Sequence, residues 1–103
     1  MKHSLSASGI QDVLRSTKPK HSNNLKVFLK PSSCFAVGFA LGGWSGSAVE
    51  RNRFKRQSRE IVKNYYLSKE PVHVLIQAKK KLKNIEALKK EILSVLESNK
   101  KGL

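Results

Sequence analysis

The chain has 103 residues, which is enough for one small domain with a marginal hydrophobic core. It carries 21 lysine and arginine residues against 7 aspartate and glutamate residues, and its formal net charge of +14 calls for an anionic partner: nucleic acid, an acidic protein or an anionic lipid surface. Because Cys34 is the only cysteine, the composition excludes an internal disulfide and a cysteine metal cluster.

Residues 1–30 are basic and rich in hydroxyl groups, and Asp12 is their only acid. This composition is typical of an organelle transit peptide, and Ile10, Val13 and Leu14 supply one amphipathic turn. It also suits a disordered basic tail, because few residues here could bury apolar surface. We favour the targeting interpretation and expect no stable structure in this segment.

Residues 31–49 are an uncharged run of nineteen residues in an otherwise highly charged chain. As a helix the run would be roughly 28 Å long, close to the roughly 30 Å hydrocarbon thickness of a bilayer. Gly38, Gly42 and Gly46 would share one face of that helix and would let a second helix pack closely against it in lipid. The pattern predicts a short transmembrane helix with a glycine-lined packing face. The alternative is a flexible glycine- and serine-rich linker.

Residues 50–67 contain a cluster of basic side chains together with a modest apolar stripe. This pattern predicts a helix that continues out of the bilayer along its surface. Basic residues beside a membrane span attract anionic head groups, and the positive-inside tendency would keep this end in the matrix or cytosol. The alternative is that these charges only solvate a short helix. The predicted contacts with anionic lipid or with a partner are Arg51, Arg53, Lys55, Arg56, Arg59 and Lys63.

Residues 71–98 follow a break at Ser68–Pro71 and carry apolar side chains at helical spacing, with lysine and glutamate on the opposite face. The pattern predicts one long amphipathic or coiled-coil-like helix. A lone helix cannot bury such a face, so it must pack on the preceding helix, a copy of itself, another subunit or a membrane. We favour docking to a protein partner. The predicted docking residues are Leu75, Leu82, Ile85, Leu88, Ile92 and Leu96.

No arrangement of side chains in the sequence indicates catalysis. His3, His21 and His73 have no carboxylate or cysteine partner at ligand spacing. We therefore expect a protein that is not an enzyme and that binds no metal or cofactor. Phe54, Tyr65 and Tyr66 lie near arginines and could stack on bases, although no RNA-binding module signature accompanies them.

The stretch Gly38–Gly46, with the sequence GFALGGWSG, is similar to the transmembrane segment of the short transmembrane mitochondrial protein family. Tyr66, Pro71 and the lysine-rich stretch 79–86 resemble the tyrosine, proline and lysine-rich helix that follow the span in that family. The basic insert at 51–63 and the long N-terminal extension depart from it. The resemblance implies a mitochondrial inner-membrane peptide associated with respiratory complexes, and small membrane subunits of the mitochondrial ATP synthase share the layout.

Two functional hypotheses follow from these patterns. The leading one is an all-α, single-pass protein of the mitochondrial inner membrane that acts as a non-catalytic accessory or assembly subunit of a respiratory-chain or ATP synthase complex. The alternative is a soluble, basic, RNA- or ribosome-associated organellar protein, whose charges would neutralise phosphate groups.

Overall fold

The computed structural model describes residues 5–66 and 71–101. In chain order, its elements are α1 (Ala7–Ser16), β1 (Lys20–His21), β2 (Leu25–Pro31), β3 (Ala36–Ala40), a short 3-10 helix (Gly43–Ser45), α2 (Ala48–Tyr65), β4 (Val72–Ala78) and α3 (Ile85–Lys101). The strands form one sheet in the order β1-β2-β4-β3. Strands β3 and β4 are parallel, and the other neighbouring pairs are antiparallel. The fold class is therefore α/β, and the all-α prediction is wrong.

Both faces of the sheet are covered, because successive side chains of a strand point to opposite sides and both sets are largely apolar. On one face, Val74 and Ile76 of β4 join the main core with α2 and α3. On the other face, Leu75 of β4 and Phe28 of β2 pack against Val13 of α1. The molecule thus has three layers, with α1 on one side of the sheet and the pair α2 and α3 on the other.

Helix α2 begins at a complete capping box. The Ser47 side chain accepts a hydrogen bond from the Glu50 N–H at 3.1 Å, and the Glu50 carboxylate accepts one from the Ser47 N–H at 2.8 Å. Two backbone donors that lack helical partners are satisfied in this way. Phe54, Ser58 and Val62 are fully buried along one side of the helix, which sets its rotation against the sheet.

The transmembrane helix predicted over 31–49 is wrong. This segment contains the last residue of β2, strand β3, the 3-10 helix and the first two residues of α2. Within residues 5–66 and 71–101, no helix is long and apolar enough to cross a membrane. The segment lacks charge for another reason: Ala36, Val37 and Gly38 of β3 are buried between the two helical layers.

The three glycines predicted to line a helix-packing face lie in a strand and a loop, where each has a separate local role. Gly38 is in β3 beneath α1, and a Cβ atom there would lie 2.9 Å from Leu5 Cδ1. A Cβ atom at Gly42 would collide with the indole of Trp44, and one at Gly46 would press on a side chain of the α2 capping box. Their four-residue spacing therefore has no common structural cause.

The expectation of a disordered segment over 1–30 is also wrong, although residues 1–4 lie outside the described part of the chain. Helix α1 begins after Ser6, whose side chain accepts a hydrogen bond from the Gly9 N–H at 3.1 Å. The Leu5 N–H donates to the Val37 carbonyl oxygen at 3.0 Å, which fastens the start of α1 to β3. The short apolar stripe of α1 is stabilised by this packing on the sheet and not by its own helical length.

The single helix predicted over 71–98 consists of two elements. Strand β4 occupies Val72–Ala78, and helix α3 begins only at Ile85. The predicted break at Ser68–Pro71 lies mostly in residues 67–70, outside the described residues. The six residues predicted to dock a partner pack inside the chain, five of them at 3% exposure or less and Ile85 at the edge of the core. They therefore leave little surface for a docking partner: Leu75, Leu82, Ile85, Leu88, Ile92 and Leu96.

Candidate nucleic-acid interface

The basic residues predicted to contact anions lie along one flank and the outer side of α2. Arg51, Lys55 and Arg59 are half-buried and follow one another at intervals of four residues, so they form a line beside the buried side of the helix. Arg53, Arg56 and Lys63 are exposed. The structure therefore places three of the six on one flank of α2 and the other three on its outer side. The lipid part of the prediction depended on the absent membrane span, whereas contact with an anionic partner stays a prediction.

Two of these arginines are held in place by contacts within the chain. The Arg51 Nε donates a hydrogen bond to the Gly46 carbonyl oxygen at 3.2 Å. The Arg59 guanidinium carbon lies 5.6 Å from the ring centroid of Phe39, a cation–π arrangement. The Nε of Arg59 is buried and meets no acceptor among the described residues. Because their positions are already restricted, these side chains would lose less entropy on binding an anion.

Two acids of α2, Glu50 and Glu60, share the helix with these cations, but neither forms a salt bridge with them among the described residues. Asp12 pairs with Lys30, and the Glu86 carboxylate lies 2.9 Å from Lys89 Nζ. Glu50 is held in the capping box of α2, where the Ser47 N–H keeps the pKa of its carboxyl below its ordinary value. In the part of the chain that the structure describes, no salt bridge includes any of the six basic residues of α2. Their charge remains available to an external anion.

Glu91 of α3 anchors the turn between β1 and β2. Its carboxylate accepts hydrogen bonds from the Ser22 hydroxyl at 2.6 Å, the Asn24 N–H at 2.9 Å and the Asn24 Nδ2 at 2.5 Å. Burial raises the pKa of this carboxyl, but the hydrogen bonds lower it by more, so the net pKa lies below the ordinary value. Glu91 is therefore ionised at neutral pH and stabilises the fold.

A second group of cations adjoins the start of α2. The loop at 79–84 contains four exposed lysines, and its Leu82 N–H donates to the Ser45 carbonyl oxygen at 2.7 Å. Lys79 Nζ also donates to the Ser22 carbonyl oxygen at 2.8 Å. The helix predicted over 71–98 would carry Lys79, Lys80 and Lys83 on its outer face, and that prediction does not bring them near α2. The additional basic residues are Lys79, Lys80, Lys81 and Lys83.

The aromatic residues near the arginines of α2 are engaged within the chain. Phe54 is fully buried and meets Phe39 edge to face, with ring centroids 5.9 Å apart. The Tyr65 hydroxyl donates to the Leu96 carbonyl oxygen at 3.2 Å. Burial, and to a smaller extent the neighbouring Tyr65, raise the pKa of Tyr66 to about 12. The suggestion that the two tyrosines stack on bases therefore has little support in this arrangement.

A smaller polar cluster lies on the sheet face that α1 covers. His73 Nε2 is 3.0 Å from the Ser32 hydroxyl and 3.7 Å from the Cys34 sulfur. In the sequence His73 looks isolated, because Ser32 and Cys34 are distant in the chain. Among the described residues no group of three potential metal ligands occurs. His21 lies elsewhere, 3.4 Å from Lys79 Nζ, and His3 lies outside the described residues.

Comparison with known families identifies the fold just described. The model of the family described as Ribonuclease P matches residues 3–99 of this sequence. The chain belongs to the ribonuclease P family. This membership overturns the resemblance to the short transmembrane mitochondrial protein family, and the predicted mitochondrial inner-membrane location is wrong with it.

Solved structures of ribonuclease P proteins share the architecture. The Staphylococcus aureus RNase P protein superposes with a TM-score of 0.80 at 19% identity, covering 92% of each chain. The Thermotoga maritima RNase P protein in complex with 1-(4-fluorophenyl)-2-thiourea gives a TM-score of 0.72 at 18% identity, covering 84% of this chain and 90% of that one. At these identities the likeness establishes the fold alone. No curated protein matches the sequence significantly.

Membership of the ribonuclease P family decides between the two hypotheses drawn from the sequence. It supports the RNA-associated alternative and, with it, nucleic acid as a partner. The family match gives no support to the membrane-complex hypothesis. The net charge of +14 was therefore the sequence feature that correctly indicated a nucleic-acid partner.

Proposed function

We propose that this chain is the protein subunit of a ribonuclease P, in which it binds the RNA subunit and precursor tRNA and carries out no bond cleavage itself. One observation carries the proposal: a ribonuclease P family chain presents a line of basic side chains on α2 that no acid pairs with among the described residues. Such a surface matches the regularly spaced phosphates of folded RNA.

The physical basis of this binding is the release of counterions from the RNA. Each phosphate neutralised by lysine or arginine releases condensed cations, so affinity falls as salt concentration rises. Arg53 and Arg56 also offer planar guanidinium groups that can bind a phosphate through two hydrogen bonds. Phosphate contacts would position the protein on the RNA without reading its sequence.

The chain is not assigned a catalytic role under this proposal. Three of its seven acids serve the fold: Asp12 pairs with Lys30, Glu50 caps α2, and Glu91 anchors a turn. The RNA subunit would supply the reactive site, and the protein would increase the affinity of the assembly for its substrate. This division of labour is directly testable.

The decisive experiment is reconstitution with purified components. A bacterial ribonuclease P RNA and a labelled precursor tRNA are incubated with and without the chain, at a magnesium concentration where the RNA alone is slow. We expect the chain to accelerate cleavage and to produce no cleavage without the RNA. Cleavage by the chain alone would contradict the non-catalytic assignment. Absence of both stimulation and binding to the RNA would contradict the proposed function as a whole.

A further inference from the structure

Trp44 is the only tryptophan in the chain, and it is exposed to solvent over 54% of its surface. Tryptophan is highly buried on average in folded proteins, so an indole in this position needs a physical reason. It lies in the 3-10 helix between β3 and α2, at the wall of an open cavity of about 660 Å³. Trp44 belongs neither to the hydrophobic core of the described residues nor to the basic side of α2.

The turn that carries Trp44 is firmly held. The buried Ser45 donates to the Gly42 carbonyl oxygen through its N–H at 3.0 Å and through its hydroxyl at 2.6 Å. The Ser45 carbonyl oxygen in turn accepts the Leu82 N–H at 2.7 Å. The indole lies close against Gly42, where a Cβ atom would come within 2.6 Å of Trp44 Cδ1. The aromatic ring is therefore positioned before any ligand arrives.

The charges around the cavity suit a nucleotide. Lys81 and Lys83 line it together with Trp44, and both are exposed. Glu50 also lines it, but its carboxylate is engaged by the Ser47 N–H in the α2 capping box. Single-stranded nucleic acid is bound by this combination, in which an aromatic ring stacks on a base and neighbouring cations neutralise the backbone.

We propose that Trp44, Lys81 and Lys83 form a binding site for one unpaired nucleotide of RNA, with the base stacked on the indole and a phosphate beside the lysines. The proposal rests on the RNA-binding function proposed above and adds a preference to it. Phosphate contacts along α2 suit paired and unpaired RNA alike. Stacking on Trp44 requires a base that has left its helix, so this site would select single-stranded segments.

The single tryptophan gives a direct optical test. The full chain is titrated with an RNA hairpin that bears a single-stranded tail and with the same hairpin whose tail is paired to a complementary strand. Binding is followed by anisotropy of labelled RNA and stacking by quenching of Trp44 fluorescence. We expect both RNAs to bind, and only the unpaired tail to quench the indole.

Substitution tests the same site without fluorescence. Trp44→Ala should weaken binding of the tailed RNA by roughly 5- to 150-fold, the worth of one stacked base, and should leave binding of the paired RNA nearly unchanged. Trp44→Phe should restore part of the loss. Val49→Ala is the matched control, because Val49 is an apolar side chain nearby in the chain and 68% exposed. Thermal unfolding of each variant confirms that it is folded.

The outcomes separate this proposal from the function on which it rests. If both RNAs bind, the indole is not quenched and Trp44→Ala keeps wild-type affinity, the nucleotide site is refuted and the RNA-binding function stands. If neither RNA binds and reconstituted cleavage is not stimulated, the proposed function itself fails. Equal quenching by paired and unpaired tails would refute the selectivity for an unstacked base.

Discussion

The inner and outer sides of helix α2 serve different purposes. On the inner side, Phe54 and Val62 are fully buried and pack against the sheet and α3. On the outer side, Arg53, Arg56 and Lys63 are exposed and form no salt bridge in the described chain. Exposed charges contribute little to folding, and buried apolar groups cannot reach a ligand. Folding and anion binding should therefore be separable by substitution along a single helix.

Phe54→Ala should cause the largest effect on the inner side. Removing this fully buried ring, which meets Phe39 edge to face, should lower the free energy of unfolding by about 3–5 kcal/mol. Chemical denaturation measures the loss, and Asn52→Ala on the exposed side is the control. If the alanine variant does not fold, Phe54→Leu gives a smaller loss that can be measured. A change below 1 kcal/mol in both variants would show that the inner side is not close-packed.

Neutralising charge on the outer side of α2 should weaken RNA binding and leave the stability of the fold almost unchanged. Arg56→Gln combined with Lys63→Gln should weaken RNA binding by roughly 10- to 30-fold at 0.15 M salt and make the dependence of log K on log salt shallower by about 1.4 to 1.8. The free energy of unfolding should change by less than about 0.5 kcal/mol. Binding is measured by anisotropy over a range of salt concentrations, and stability by denaturation.

The matched control for that pair is Lys89→Gln with Lys90→Gln, which removes the same charge from α3. Lys89 pairs with Glu86, and Lys90 lies on the exposed side of its helix. A much smaller change in the salt dependence is expected for this control. If the two double variants weakened binding equally, net charge alone would explain the binding, and the line of basic residues on α2 would have no special role.

Substitution of Glu91 tests whether this acid stabilises the fold. The pKa of its carboxyl is lowered in the folded state, so its stabilising effect is complete above the ordinary glutamate pKa of about 4.3. The effect is lost as pH falls through the lower folded-state pKa. Glu91→Gln should therefore cost about 1–2 kcal/mol of unfolding free energy at pH 7, and much less in strong acid. Denaturation at several pH values measures this, and a pH-independent cost would contradict the linkage.

Helices α2 and α3 were easier to locate from the sequence than helix α1 and the strands. Helix α2 at Ala48–Tyr65 overlaps the range 50–67 for which a surface helix was predicted, and its buried residues recur every four positions. Strand β3 shows no alternation, since both of its faces are covered, and its short apolar run is indistinguishable by periodicity from part of a helix. The Ser47–Glu50 capping box could have shown where α2 begins, because it starts a helix inside the segment that was predicted to span a membrane.

Strand β4 and the loop after it were not predicted for the same reason: a short apolar run fits a helix as well as a strand. Val74, Leu75 and Ile76 are consecutive and all buried, which is the pattern of a central strand, and Pro71 just before them suits a strand start as well as a helix start. Only part of the candidate interface could be predicted from the sequence. The cluster on α2 is contiguous in sequence, whereas its proximity to Lys81, Lys83 and Trp44 depends on the packing of two loops.

Substitution of Ser58 should change the free energy of unfolding least, and it tests the packing on the inner side of α2. Its side chain is fully buried, and its hydroxyl has no hydrogen-bond partner among the described residues. Burying such a group without a partner is unfavourable, and alanine is the better helix former. Ser58→Ala should therefore raise the free energy of unfolding by about 0.5–1 kcal/mol, measured by denaturation, and leave RNA affinity unchanged. Ser47→Ala is the contrasting control, because it removes a helix cap and should lower stability by about 1 kcal/mol. If Ser58→Ala were destabilising, its hydroxyl would have to be bonded in solution, and the inner side of α2 would depend on a polar contact as well as on apolar packing.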